Sequence, residues 1–215
     1  MRFVLARNEN NCYAFVERDW AENDTTWRQI IPYVTIRDQE GKFALFQRKN
    51  GSEKRLQDLF TIGVGGHIDA ADIPERHAGS KGKLVDFLND ICSDALNREL
   101  WEEIKWIPVE RPELVHIIHS HYPPVDMVHE GLCFVAEWVF PHDVGYALPG
   151  LAANERPETP DDQLRYIMGD DSEMEMVFVG FKSLEEICTY NLESWSKKLA
   201  MAILTEKCEC DTSPL

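Results

Sequence analysis

Apolar positions along the chain fall into short blocks of alternating or continuous hydrophobicity, and most blocks predict strands rather than helices. Residues 3–6 and 12–17 read as two short strands around a polar turn at 8–11. Residues 30–36 (IIPYVTI) read as a buried strand and 42–48 (KFALFQR) as its partner, joined by a hairpin connection at 37–41. A polar loop follows, and 59–64 (LFTIGV) then run directly into Gly65 and Gly66. Residues 69–83, with Pro74, Gly79 and Gly82, read as a loop or insertion. The period changes at 83–104, which has helical spacing without Gly or Pro, and Pro108 and Pro112 mark the region beyond its end. Strands are expected at 113–119 and 127–139, the second with Leu132, Phe134, Ala136 and Trp138 on one face. Residues 141–172 carry four prolines and many acids, too long a connection for anything but a lid or an accessory excursion. A last strand at 175–181, a capped short helix from Ser183 and a helix at 191–205 close the pattern.

Strands with interspersed helices predict a mixed α/β fold, α+β in character, with a partly antiparallel sheet between helices. The 215 residues suit one domain: a strand extension at 1–27, a core at 28–205 and a disordered tail at 206–215. No apolar run reaches membrane-spanning length, and the first residues lack the apolar core of a signal peptide, so no membrane partner and a cytoplasmic location are expected. Six irregularly spaced cysteines read as buried or free thiols. The formal net charge of −16 makes the chain a poor binder of a DNA or RNA duplex. A small polyanion remains compatible if a metal and a few local cations supply positive charge.

The densest chemistry lies in Arg98-Glu99-Leu100-Trp101-Glu102-Glu103. At about 100° per residue, Glu102 falls roughly 60° to one side of Glu99 and Glu103 roughly 40° to the other, so all three share a helix face. Leu88, Cys92 and Ala95 lie within about 40° of Glu99 on the same wheel, so the acidic face continues an apolar stripe. Carboxylates gathered beside a core are costly without a cation, and a hard divalent ion such as Mg²⁺ or Mn²⁺ prefers oxygen ligands. Arg98 either braces these carboxylates, with Glu102 its i+4 neighbour, or makes an ordinary helix salt bridge.

Together with Gly63-Val64-Gly65-Gly66-His67-Ile68, this run resembles the Nudix box of the Nudix hydrolases, G-x5-E-x7-R-E-U-x-E-E-x-G-U with U apolar. Gly66 matches the first glycine, Arg98-Glu99-Leu100 the R-E-U, Glu102-Glu103 the E-E and Trp106 the last apolar position. The resemblance covers roughly residues 28–205. Thirty-two positions separate Gly66 from Arg98 where the box has fourteen, an enlargement of 18 residues. The first glutamate of the box corresponds to Asp72 counted from Gly66 or to Asp90 counted from Arg98, and the later glycine is Lys105. Phe60–Ile68 with Glu193-Ser-Trp-Ser resembles a group of bacterial and phage-type Nudix proteins described as predicted phosphoesterases.

The resemblance implies a Nudix-type α-β-α sandwich and a pyrophosphohydrolase that cleaves the diphosphate linkage of a nucleoside diphosphate joined to another group. Glu99, Glu102, Glu103 and the Gly65 carbonyl would hold Mg²⁺ or Mn²⁺, with Arg98, Glu102 and Glu103 as the catalytic set. Arg48 ends a strand where relatives place a phosphate-binding cation, or is a surface arginine. His67 either reaches substrate or is structural, and Glu173 and Glu175 either add a ligand or base or belong to a solvated loop. His116, His119 and His121 lack an acidic partner at zinc-ligand spacing. Many relatives dimerise, which makes a homodimer compatible with the sequence. Two alternatives stand beside hydrolysis: a non-hydrolytic sensor of a nucleotide or nucleotide sugar, and an isopentenyl-diphosphate isomerase-like enzyme, for which Cys133 lacks the expected local pattern.

Overall fold

A computed structural model describes residues 1–38, 41–48, 59–73, 84–104, 112–119, 127–137, 174–179 and 189–210, with the backbone alone at 48, 85, 174–179 and 205–210. The elements in chain order are β1 (Phe3–Asn8), β2 (Tyr13–Glu17), α1 (Arg18–Ala21), β3 (Trp27–Arg37), β4 (Phe43–Arg48), β5 (Phe60–Thr61) and β6 (Gly63–Gly65). After a 3-10 turn at Ala70–Asp72 come α2 (Leu84–Ile104), β7 (Glu113–His119), β8 (His129–Glu137), β9 (Met174–Val179) and α3 (Ser194–Cys210). This is the mixed α/β architecture that the alternation of periods predicts. None of the described helices is long and apolar enough to cross a membrane.

The chain divides into two compact units. The first comprises Met1–Val34, Gly65–Glu99 and Leu114–Phe134. In it β1 pairs antiparallel with β2, Leu5 facing Phe15, and with β3, Ala6 facing Gln29. β8 pairs with β3 and with β7. The β1–β3 register puts Leu5 and Ile30 on the face that meets Ile91, Cys92 and Ala95 of α2, with Ile68 between them. Phe87, Leu88, Leu132 and Phe134 pack against this cluster. The stripe expected to lead to Glu99 is therefore a core stripe, and removing a buried branched side chain such as Ile91 would cost about 2–5 kcal/mol.

The second unit comprises Thr35–Val64, Leu100–Glu113 and Val135–Leu215. β4 lies between β5 and β9 in antiparallel pairing, with Phe46 opposite Thr61 and Met176. Ala44, Leu45 and Phe46 are consecutive and fully buried, the mark of a strand covered on both faces. Gly41, at a φ of +80°, closes the hairpin from β3 to β4, and its N–H reaches the Asp38 carbonyl.

The strand read at 59–64 is split into β5 and β6, the strands read at 30–36 and 127–139 span Trp27–Arg37 and His129–Glu137, α1 is absent from the predicted pattern, and both ends of the terminal helix differ from it. The terminal helix begins at Ser194, not 191, because the Asn191 carbonyl accepts from Phe60 N–H and the Glu193 N–H donates to the Phe60 carbonyl. It runs to Cys210, past the expected tail start at 206, since Glu206, Lys207 and Glu209 are competent helix formers and no Gly or Pro precedes Pro214. The predicted short helix from Ser183 and the 141–172 excursion lie outside the described residues.

Candidate metal centre

β6 ends at Gly65, and its neighbour sets the first constraint. A Cβ on Gly65 would stand 2.9 Å from Tyr33 Cα and would overlap the Pro32 carbonyl, so only glycine lets this strand end lie so close to β3. Gly66 meets a different neighbour. A Cβ there would overlap the carboxylate of Glu99, which lies directly against the bare backbone.

Arg98 organises what surrounds that carboxylate. Its Nε donates to Asp72 Oδ1 at 2.7 Å and its Nη2 to Asp72 Oδ2 at 2.9 Å, a two-pronged grip on a buried acid. Nη2 also donates to the His67 carbonyl at 2.9 Å, and Nη1 donates to Glu99 Oε1 at 2.7 Å. The Asp72 carboxylate, opposed by partial burial and helped by Glu99, drives the Arg98 pKa above its already high value, so the guanidinium stays charged throughout. Asp72 is itself held, because the Asp69 N–H donates to its Oδ2 at 2.7 Å across the 3-10 turn.

The Arg98 contact bears on the two sequence candidates for the first glutamate of the box. Asp72 stands six positions after Gly66, as the box requires, and takes the Arg98 fork. Counted from Asp72, the 18 extra positions fall between Asp72 and Arg98.

His67 supplies its carbonyl, while its ring points elsewhere. The ring packs edge-on against His129 at 5.4 Å between centroids, and Nε2 is shut off from solvent without a hydrogen-bond partner. Burial, with the nearby positive charge of Arg18, lowers its pKa to about 3, so the imidazole is neutral at ordinary pH.

The structure thus brings Gly65, Gly66, His67, Asp72, Arg98 and Glu99 together. Glu102 and Glu103 occupy the last turn of α2, Glu102 exposed and Glu103 half-buried. Arg48 ends β4, and Glu175 lies in β9 opposite Gln47, with their side chains outside the described atoms. Glu173 and His121 lie outside the described residues, as does Lys105. Among the described residues no three carboxylate, imidazole or thiol groups already converge as a metal cage. The chemistry of the donors nonetheless fits a hard cation: every candidate donor is oxygen, and the missing Cβ at Gly66 lets a carboxylate lie against backbone. Cys133 is fully buried, with its thiol pushed up to about 12 by burial, so it is not presented to a substrate.

Asp69 escaped the sequence reading. No motif marks it; its place beside Asp72 follows from the 3-10 turn, which falls within a stretch read simply as loop.

No family model matches the chain. Protein YmaB of Bacillus subtilis (strain 168) is 29 % identical over 122 residues, which span 56 % of this chain and 54 % of YmaB, so the match covers about half the length of that curated relative. Among solved structures, Tm1382, described as a candidate Nudix hydrolase, aligns over 94 % of this chain and 98 % of its own at a TM-score of 0.63 and 21 % identity. A MutT protein from Methanosarcina mazei Go1 aligns over 84 % of this chain and 95 % of its own, at a TM-score of 0.42 and 18 % identity. With strands, glycine turn and acidic helix in the order of the box, and with Tm1382 superposing over nearly the whole length, the chain has the fold of the Nudix hydrolases.

Proposed function

We propose that the chain is a metal-dependent hydrolase of the diphosphate linkage in a small nucleoside diphosphate derivative. The observation that carries this reading is the Glu99 carboxylate, held by Arg98 against the backbone of Gly66. Glu99, Glu102, Glu103 and the Gly65 carbonyl are the residues that would hold Mg²⁺ or Mn²⁺. Bound there, the ion would offset the charge of the diphosphate and make a water nucleophilic near neutral pH.

The chain's own residues then have separable tasks. Arg98 orients Glu99 and, being locked on Asp72, cannot itself swing out to take a phosphate. Glu102 and Glu103 would complete the negative face, and a carboxylate of this set would accept a proton from the attacking water. Gly65 and Gly66 keep the backbone low enough for the diphosphate to approach. His67, neutral, adds no charge to the site. Arg48 remains the candidate for the distal phosphate, and Glu173 and Glu175 for an added ligand or base.

A screen of nucleotide sugars, dinucleoside polyphosphates, ADP-ribose and nucleoside triphosphates with Mg²⁺ and Mn²⁺ tests the reading. Turnover in the wild type that Glu102→Gln and Glu103→Gln both lose supports it; undiminished turnover in both variants removes the assigned mechanism. A non-hydrolytic binding module is the second reading, because Lys105 stands where the box has its later glycine and no glutamate stands at its first acidic position. Calorimetry read beside phosphate release separates the two, since a module binds a nucleotide and releases nothing.

A further inference from the structure

β1 does more than extend the sheet. Val4 forms an antiparallel bridge with Asp69, and the Leu5 N–H donates to the Ile68 carbonyl at 2.9 Å, so the strand lies along the segment that follows the glycine turn. Just before it, Arg2 clasps Asp69 with two parallel bonds, Nε to Oδ1 and Nη2 to Oδ2, each 2.7 Å. The Arg2 carbonyl is itself tied by the Arg18 N–H at 2.9 Å, where β2 passes into α1.

Asp69 therefore has two occupied ends. Its carboxylate is fixed by Arg2, and its N–H holds Asp72 Oδ2, the same oxygen that accepts Arg98 Nη2. Arg98 in turn holds Glu99. The charges alternate along this path where side chains meet, and the two acids are joined through backbone N–H groups, the Asp72 N–H also donating to the Asp69 carbonyl at 2.9 Å, which avoids a direct contact between carboxylates.

We propose that Arg2 is a positioning residue for Glu99, acting through Asp69, Asp72 and Arg98, so that the strand extension is part of the metal centre. The proposal rests on the metal reading of Glu99 given above. Asp69 raises the Arg2 pKa, and Glu99 adds to that rise from further away, which places both carboxylates within the field of one guanidinium. An exposed arginine pair contributes little to global stability, so its effect should show in the site and not in the fold.

The test is Mn²⁺ titration of the full chain, followed by electron paramagnetic resonance, for wild type, Arg2→Ala, Asp69→Asn, Glu99→Gln and the double variant Arg2→Ala/Glu99→Gln. Thermal unfolding is recorded alongside. Arg2→Ala and Asp69→Asn should each weaken Mn²⁺ binding about 10-fold, the low end of what losing an outer partner of a ligand costs, since they act through further residues. In the Glu99→Gln background, Arg2→Ala should add nothing, because the carboxylate it positions is gone. Unchanged Mn²⁺ affinity in Arg2→Ala and Asp69→Asn, with a clear loss in Glu99→Gln, overturns the proposal and leaves the metal reading standing. Equal and additive losses in both backgrounds also overturn it, since they mark a general structural effect. If Glu99→Gln binds Mn²⁺ as wild type does, the metal reading falls and the proposal with it.

Discussion

Two regions of the molecule hold a carboxylate at the end of a short strand, and they do so with different partners. In the second unit, Glu193 Oε1 accepts from Thr61 Oγ1 at 2.8 Å and from Ser196 Oγ at 3.1 Å. The Ser196 hydroxyl also accepts the Ile62 N–H at 3.0 Å, and Thr61 Oγ1 accepts the Gly63 N–H at 3.2 Å. Two hydroxyls thus serve one acid and the neighbouring backbone. In the first unit, the guanidinium groups of Arg2 and Arg98 face three carboxylates, Asp69, Asp72 and Glu99. Neutral hydroxyls serve the acid in the one network, and charged guanidinium groups serve the acids in the other. Under the metal reading proposed above, a divalent cation would join the guanidinium-held carboxylates, and the hydroxyl network would serve as an anchor.

The sharpest way to break this contrast is at the acidic helix face. Glu103→Gln should lower turnover by about 100-fold or more, the scale of losing a positioned acid–base group, with unfolding in urea unchanged. Next comes the grip beneath it. Asp72→Ala would leave Arg98 half-buried with one carboxylate instead of two, at a cost of about 3 kcal/mol, the lower end for breaking a buried pair because Glu99 remains. Urea unfolding measures this directly, and a loss below about 1 kcal/mol would show that the network is not under the constraint described.

The acidic face was legible in the chain because helical period and charge coincide there: Leu88, Cys92 and Ala95 predict which side of α2 is inward, and Glu99 follows from them. The glycine turn was legible because two adjacent glycines after an apolar strand have few other uses. The partner of Arg98 was not decidable, since counting from Gly66 gives Asp72 and counting from Arg98 gives Asp90. In the folded chain Arg98 grips Asp72, a contact 26 residues apart that no count along the sequence gives. Arg2 and Asp69 were silent for a related reason. Their pairing depends on the register of β1 against the segment after the turn, 67 residues away, and no local period encodes a contact of that range. The start of α3 shares this cause, because Phe60 of β5 decides where the helix can begin.

The first unit should also respond to acid through His67. His67 has a folded pKa lowered to about 3, against about 6.5 when unfolded. The unfolded chain therefore binds a proton that the folded chain refuses, and stability falls as pH drops from about 6.5 toward 3. At about 1.4 kcal/mol per pH unit, the loss from this group reaches about 3 kcal/mol by pH 4. His67→Leu should remove that part of the slope between pH 6 and 4 while keeping the stability near pH 7. Parallel slopes for wild type and variant would place the acid sensitivity elsewhere.

The smallest expected effect tests the anchoring side of the contrast. Ser196 is fully buried and serves both Glu193 and the Ile62 N–H. Ser196→Ala leaves that N–H without its acceptor and Glu193 with one hydroxyl fewer, a cost of about 2 kcal/mol. Thr61→Val should cost a similar amount, and the two together less than their sum, because the hydroxyls also meet each other at 3.1 Å. If the region only anchors, Mn²⁺ affinity in Ser196→Ala stays within about twofold of wild type, the opposite of Arg2→Ala, although the serine is buried and the arginine is not. A metal affinity that falls with Ser196 would erase the distinction, since it would make the hydroxyl network part of the same charged centre.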